Sequence, residues 1–261
     1  MTENYEVEVA GETKVRLQPL GECALIVDWG GTIHEHTHTK IRAFCSQLER
    51  NPVHGIVEVV PAYTTVTVFY DPIKLWKRAT SETWQSSYNR DTEFQSPFAI
   101  MEEIIREMVN QLEEIHIGSS TIVEIPVCYG EQFGPDLQDV AAYAGLSIEE
   151  VIELHSGHDY LVHMVGFAPG FPYLGGLPER IAVPRRSSPR TSIKPGSVGI
   201  GGKQTGVYPI ASPGGWHLIG QTPVQLFRPH HPSPSLLKMG DTVRFRPITP
   251  EQFAMWKEDA I

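Results

Sequence analysis

The run Pro184–Arg190, "PRRSSPR", sets Arg185, Arg186 and Arg190 on a loop braced by two prolines. A guanidinium fork matches a carboxylate or a phosphate through two oxygens at once. The three arginines are therefore candidate binders of an anionic substrate. Lys194 and Lys203 follow, and no acidic residue occurs between Ile181 and Gln204, in a chain whose formal charge is −10. A basic stretch on an acidic protein points to a local anionic ligand or to an acidic partner face. The alternative is a loop neutralised by carboxylates from elsewhere in the fold. The acidic total itself argues against nonspecific nucleic-acid binding.

Close by, "GIGGKQTG" (Gly199–Gly206) places Lys203 inside a glycine-rich turn. Exposed amides of Gly201, Gly202 and Gln204 could cradle an anion, with Lys203 adding charge. The stretch lacks the strand–loop–helix setting of a phosphate-binding loop, and a plain β-turn is the competing expectation. The preceding "GFAPGF", with Gly170 and Phe171, is expected to turn toward the same cleft. His155 ends a predicted helix next to this region and is the one candidate general acid or base. Its competing reading is a histidine held at a helix C-terminus, where a cation is favoured. His34, His36 and His38 in "HEHTH" would suit zinc if extended. Following a Gly-Gly turn, they read instead as exposed, and no metal site is expected. No Walker A sequence, G-x-S-x-G elbow or H-E-x-x-H pair is present.

These residues need elements to position them. "CALIVDW" reads as a buried strand ended by Gly30 and Gly31. Thr37 or Thr39 would cap a helix whose Ile41, Phe44, Cys45 and Leu48 share a face. "GIVEVVPAYTTVTVFYD" reads as two strands broken at Pro61, with Val66, Val68 and Tyr70 on one side of the second. The clearest helix is "SPFAIMEEIIREMVNQLEEI", capped by Ser96, with Pro97 in its first turn and an expected stripe of Ile100, Ile104, Met108 and Leu112. Residues 73–95 form a polar insertion, read as a long connection or a short helix and loop.

Gly118-Ser119-Ser120 marks the expected boundary between a domain over 1–117 and a second over 118–261. After it come a strand in "TIVEIPVCYG", two short helices at Leu137–Gly145 and Ser147–His155, and a strand in "DYLVHMVGF". Glu150 stands at the capping-box position of the second helix. Short β-prone pieces follow, "IAVP", "SVGI", "GVYPI", "WHLIG", "VQLFRP" and "DTVRFRPI", as in a barrel or sandwich. From Gly166 to Pro223 the chain holds 12 of its 23 glycines and 9 of its 21 prolines. A floppy linker would lack large apolar residues. This stretch has Phe167, Phe171, Tyr208 and Trp216, so it is expected to be ordered. Three scattered cysteines, a polar start without the pattern of a signal peptide, and no apolar run of membrane-spanning length indicate a cytoplasmic protein with reduced thiols and no membrane association.

The long run from "LSIEEVIELHSGHDYLVHMVGFAPGFPYLGGLPERIAVPRRSSPR" through "GWHLIGQTPVQLF", with "YGEQFGPDL" and "GDTVRFRPI", resembles the family of the 5-oxoprolinase B subunit, also called KipI-like or allophanate hydrolase subunit 1. The first half shares the resemblance in "CALIVDWGG" and "GIVEVVPAYTTVTVFYDP". The resemblance implies an α+β chain: an N-terminal ferredoxin-like α/β domain, then a cyclophilin-like β-barrel of carboxyltransferase type. It implies two partners, a C subunit of the KipA or allophanate hydrolase subunit 2 type and an A subunit. Together these cleave 5-oxoproline to glutamate using ATP, with its Mg²⁺, at a site shared between the chains. On that reading Arg185, Arg186 and Arg190 meet the substrate carboxylate or phosphates. The alternatives are a KipI-type regulator that binds a sensor histidine kinase, and a component of another amide-processing enzyme.

Overall fold

The computed structural model describes residues 5–8, 14–31, 35–79, 96–112 and 120–256. The chain divides into two compact units, Met1–Gly118 and Ser119–Ile261. In the first, β1 (Tyr5–Glu8), β2 (Lys14–Pro19), β3 (Ala24–Asp28), β4 (Ile56–Pro61) and β5 (Thr65–Tyr70) form an antiparallel sheet in the order β1-β2-β3-β5-β4. Cross-strand pairing lines up Leu17 with Val27, Val27 with Val66, and Leu25 with Val68. All five side chains are buried on one face, as the two-residue period of a strand requires. Burying each stabilises the sheet by about 1.5–3 kcal/mol relative to exposure.

The helices α1 (Glu35–Arg50), α2 (Pro72–Ala79) and α3 (Pro97–Asn110) complete this unit. Ile41, Phe44, Cys45 and Leu48 of α1 are buried, and Phe44 meets Trp29 edge-on at 5.4 Å. The helix starts at Glu35, before either expected cap. Ser96 caps α3 by accepting from the Ala99 amide at 3.1 Å. Its buried face includes Ile100, Met101, Ile104, Ile105 and Val109, because α3 packs against both β3 and α2; of the expected stripe, Met108 is only half-buried and Leu112 lies past the end of the helix. The order β2-β3-β5-β4, with helices after β3 and β5, is the ferredoxin-like arrangement. Here the strand beside β3 comes from the front of the chain. The expected polar insertion opens as α2, with Leu75 buried and the Asp71 carboxylate accepting from the Ile73 and Lys74 amides. Residues 80–95 lie outside the described residues.

The second unit is a closed barrel of seven strands: β6 (Ile122–Tyr129), β7 (Asp159–Val165), β8 (Pro172–Gly175), β10 (Ser197–Gly201), β11 (Gln204–Val207), β13 (His217–Gln221) and β14 (Thr242–Pro247). Going round, the order is β10-β11-β8-β7-β14-β6-β13, and every pair is antiparallel except β14 with β6. Closure leaves no free sheet edge. Ile125, Val127, Tyr160, Val162, Val198, Ile200, Ile219 and Phe245 fill the interior. Two helices, α4 (Leu137–Ala144) and α5 (Ile148–Ser156), connect β6 to β7 in the chain; α4 packs against β13 and α5 against β14. A full capping box opens α5: Glu150 N donates to Ser147 Oγ and Ser147 N to Glu150 Oε2. A pair of short strands, β9 (Arg190–Ile193) and β12 (Ser212–Gly214), lies outside the barrel. The helix α6 (Pro250–Ala254) ends the described chain.

Two expected strands are absent. "IAVP" is instead the end of a 3-10 turn, Glu179–Ile181, followed by a single bridge from Val183 to Gly202. "VQLFRP" makes one isolated bridge, Phe227 to Ser235. Both are apolar because they pack on the core, and prolines at 184 and 229 limit ladder pairing. Among the described residues no helix is long and apolar enough to cross a membrane. Cys23, Cys45 and Cys128 are free thiols, and burial pushes Cys45 up to about 12.

Candidate functional site

The basic loop meets an acid that the sequence places far away. Asp136 precedes α4 and is buried, 3% exposed. Arg190 grips its carboxylate with both terminal nitrogens, Nη1 to Oδ2 at 2.8 Å and Nη2 to Oδ1 at 2.7 Å. Arg186 Nη1 donates to Oδ1 at 2.9 Å, and the Leu218 amide donates to Oδ2 at 2.7 Å. The Asp136 amide donates back to the Leu218 carbonyl at 2.9 Å. Burial pushes the carboxyl up, but the Arg190 hydrogen bonds, the Leu218 amide and the charges of Arg190 and Arg186 outweigh it and hold the group below its ordinary value. One carboxylate thus ties the start of α4, the arginine loop and β13 together. Asp136 makes no side-chain cap of its own helix, because both its oxygens are already used.

Beside this knot lies a groove of about 560 Å³. Residues 183–188, Asp139 and Tyr143 of α4, and His217 at the start of β13 line it. Asp139 and Tyr143 are four apart on a helix and so share a face. The Arg186 amide donates to the Gly215 carbonyl at 2.7 Å, which fixes the loop against the segment before β13. Arg185 and Arg186 line the groove; Arg190 does not, since its side chain is turned into the Asp136 knot.

Glycines 199–206 do not form an anion cradle. Their expected role gives way to a β-hairpin, with Gly199 opposite Gly206 and Gly201 opposite Gln204. Strand β10 is paired on both edges, with β11 and β13, so its amides are used in the sheet. The Gly202 amide donates to the Val183 carbonyl at 2.6 Å. Lys203 pairs with Glu179 at 2.6 Å, in solvent. The hairpin needs glycine at 201 because a Cβ there would overlap the Trp216 indole. Trp216, Phe171, Tyr208, Ile193 and Leu218 make a second apolar cluster at this end of the barrel. Phe171 thus packs inward as a core aromatic, without reaching the groove. Gly170 has φ +79°, and a Cβ would come within 2.9 Å of the Leu226 carbonyl oxygen. Phe167, also at positive φ, is 71% exposed and meets Phe171 edge-on at 5.5 Å.

His155 is fully buried in the barrel interior. Thr205 Oγ1 donates its hydrogen to the Gly199 carbonyl at 3.0 Å, so His155 Nε2 must donate to Thr205 at 2.8 Å. Nδ1 then accepts from the Tyr129 hydroxyl at 2.8 Å. Phe245 stacks on the ring with centroids 4.6 Å apart. Burial pushes its pKa down to about 3. The ring is neutral, fully bonded and out of solvent, which is the setting of a core histidine and not of a general acid or base. In "HEHTH", His34 lies outside the described residues, while His36 and His38 fall on a helix and His38 is buried. Among the described residues no three His, Cys, Asp or Glu side chains converge on a metal position.

Comparison with known proteins now bears on this site. The carboxyltransferase domain, subdomains C and D, matches residues 15–237. The chain is 44% identical over 247 residues to the 5-oxoprolinase B subunit of Bacillus subtilis, covering 95% of this chain and 98% of that protein. It is 39% identical to the protein of the same name from Escherichia coli O157:H7, over 90% of this chain and 96% of that one. The chain belongs to the 5-oxoprolinase B-subunit family. Among solved structures, TTHA0988 superposes with a TM-score of 0.69 at 33% identity, covering 86% of this chain but 40% of that longer one. PH0987 of Pyrococcus horikoshii, at 40% identity and a TM-score of 0.50, is covered over 99% of its length. The urea amidolyase of K. lactis shares the fold at 20% identity and a TM-score of 0.68, over 96% of this chain and 16% of that one.

Sequence reasoning missed Asp136. Its one local signal was an Asp directly before a predicted helix, which reads as an ordinary N-cap. Its partners, 50 and 54 residues away, were legible only as unpaired arginines.

Proposed function

We propose that this chain is the B subunit of an ATP-dependent 5-oxoprolinase. With a C-type partner it activates 5-oxoproline by phosphorylation, and an A-type partner opens the activated ring to glutamate. The observation that carries this reading is the end-to-end match to the 5-oxoprolinase B subunit of Bacillus subtilis, 44% identical over 98% of that protein. A lactam carbonyl is a poor electrophile. Phosphoryl transfer from ATP to its oxygen, with loss of ADP, makes the ring carbon electrophilic, and positioned positive charge stabilises the transferring group. Water then adds at that carbon, the ring C–N bond breaks to free the amine, and a second water releases phosphate from the acyl phosphate to leave glutamate. In this chain Arg185 and the groove can supply such charge. Mg²⁺ would arrive on the nucleotide phosphates. The three free thiols suit a reducing cytoplasm.

The test is reconstitution. Glutamate release from 5-oxoproline and ATP is measured for this chain alone, for the pair with the C-type partner, and for all three chains together. Turnover is expected only with all three. Full turnover by this chain alone overturns the shared site, and no turnover by the complete set overturns the assignment.

A further inference from the structure

We propose that the groove beside the Asp136 knot binds the oxyanion of a small molecule, a carboxylate or a phosphoryl group, with Arg185, Arg186 and His217 as its recognition residues. The proposal deepens the reading above by naming an anion subsite within it, but its test is direct binding to this chain and is separate from turnover.

Charge is the first support. Asp136 neutralises one of the two arginines that hold it, which leaves a surplus positive charge at the groove wall. Arg185 adds another; it is exposed and pairs with no carboxylate among the described residues. Among the described residues Asp139 is the only acid lining the groove, so the sum stays positive.

Unsatisfied donors are the second. Arg186 gives Nη1 to Asp136, while its Nε is buried without a partner. The Nε–Nη2 edge of a guanidinium is one of its two-pronged faces, the kind that takes both oxygens of a carboxylate. His217 Nδ1 is buried and unpartnered as well, and both residues line the groove. A buried polar atom left unpaired is costly, and native structures keep few of them. Neither nitrogen has a hydrogen-bond partner among the described residues, so an oxygen carried into the groove by a ligand is the partner each one lacks.

Shape is the third support. A volume of about 560 Å³ suits a small ligand. Val183, Pro184 and Tyr143 give the groove apolar lining for a ring or chain beside its cationic residues. Asp136 holds Arg186 in place beforehand, so little side-chain freedom is lost when a ligand arrives.

Calorimetric titration of the full chain tests the proposal, with 5-oxoproline, inorganic phosphate and 2-pyrrolidinone as probes. The last is the lactam without its carboxylate. Binding of 5-oxoproline or phosphate, with 2-pyrrolidinone silent, is expected. 5-Oxoproline alone identifies a carboxylate site, phosphate alone a phosphoryl site, and both a general oxyanion site. Arg185→Gln and His217→Gln should each weaken binding about ten- to hundredfold, the range of a charged hydrogen bond, at an unchanged melting temperature. Asp139→Asn should tighten it about two- to threefold by removing a like charge, a gain that loss of a merely structural contact would not produce. Absence of binding by both anions, equal binding of 2-pyrrolidinone, or indifference to both Arg185→Gln and His217→Gln overturns the site. If the three-chain enzyme turns over while this chain binds neither anion, only the groove assignment is lost.

Discussion

Two carboxylates pair with the same basic stretch and do opposite things. Asp136 lies under Arg186 and Arg190 with 5% of its side chain exposed, while Lys203 and Glu179 pair with 78% and 80% exposed. The distances are alike, 2.7–2.9 Å against 2.6 Å. What differs is water. Around Asp136 no solvent can replace a lost partner, and the carboxylate also accepts the Leu218 amide. Around Lys203 solvent screens the charges and substitutes for either one. The same kinds of side chain therefore fix a fold at one end of the stretch and decorate a hairpin at the other.

Arg190→Glu would break the contrast most severely. It sets a second carboxylate against buried Asp136, and the barrel unit is expected not to fold, as read by circular dichroism and near-ultraviolet signal. Asp136→Ala comes next. It leaves two arginines without their acid and should cost about 3–5 kcal/mol in urea unfolding. A loss under about 1 kcal/mol would mean the knot is not structural. Gly201→Ala forces a methyl into the Trp216 indole and should cost about 1–3 kcal/mol, with altered tryptophan fluorescence.

The interior histidine supplies a pH test. His155 is depressed from 6.5 to about 3 in the folded chain, so between those values the unfolded chain binds a proton that the folded one refuses. Stability is therefore full above pH 6.5 and falls as pH drops toward 3, by roughly 2 kcal/mol at pH 5. The lowered Asp136 carboxyl adds a further loss once pH falls through the carboxylate range. A urea midpoint that is flat from pH 7 to pH 5 would contradict the buried neutral ring. At the small end, Lys203→Gln should leave the unfolding midpoint unmoved and weaken only salt-dependent behaviour of the hairpin. A clear destabilisation there would erase the distinction between the two pairs.

Local order was legible where one element contains its own cause. Ser96 before Pro97, and Ser147 three residues ahead of Glu150, announced helix starts that the structure places as expected. The alternation of Val66, Val68 and Tyr70 announced the buried face of β5. Legibility failed for "IAVP" and "VQLFRP", because a short apolar run looks the same whether it pairs in a sheet or packs as a turn. It failed for glycines 199–206 for a related reason. Glycine permits both a phosphate cradle and a close aromatic contact, and only the position of Trp216 shows which is used.

Composition and pattern determined by themselves a mixed helix-and-strand first half and an ordered glycine- and proline-rich β region, barrel or sandwich; the long run of family residues fixed its kinship and, through it, the barrel. Tertiary structure alone decided what the charges are for. Arg185, Arg186 and Arg190 are equivalent as letters, yet Asp136 claims Arg190 wholly and Arg186 in part, and leaves Arg185 to solvent. The interaction energy of a charge depends on its distance to other charges and on the water around it. Chain closure sets both for residues 50 and 54 positions apart, and no local pattern encodes either.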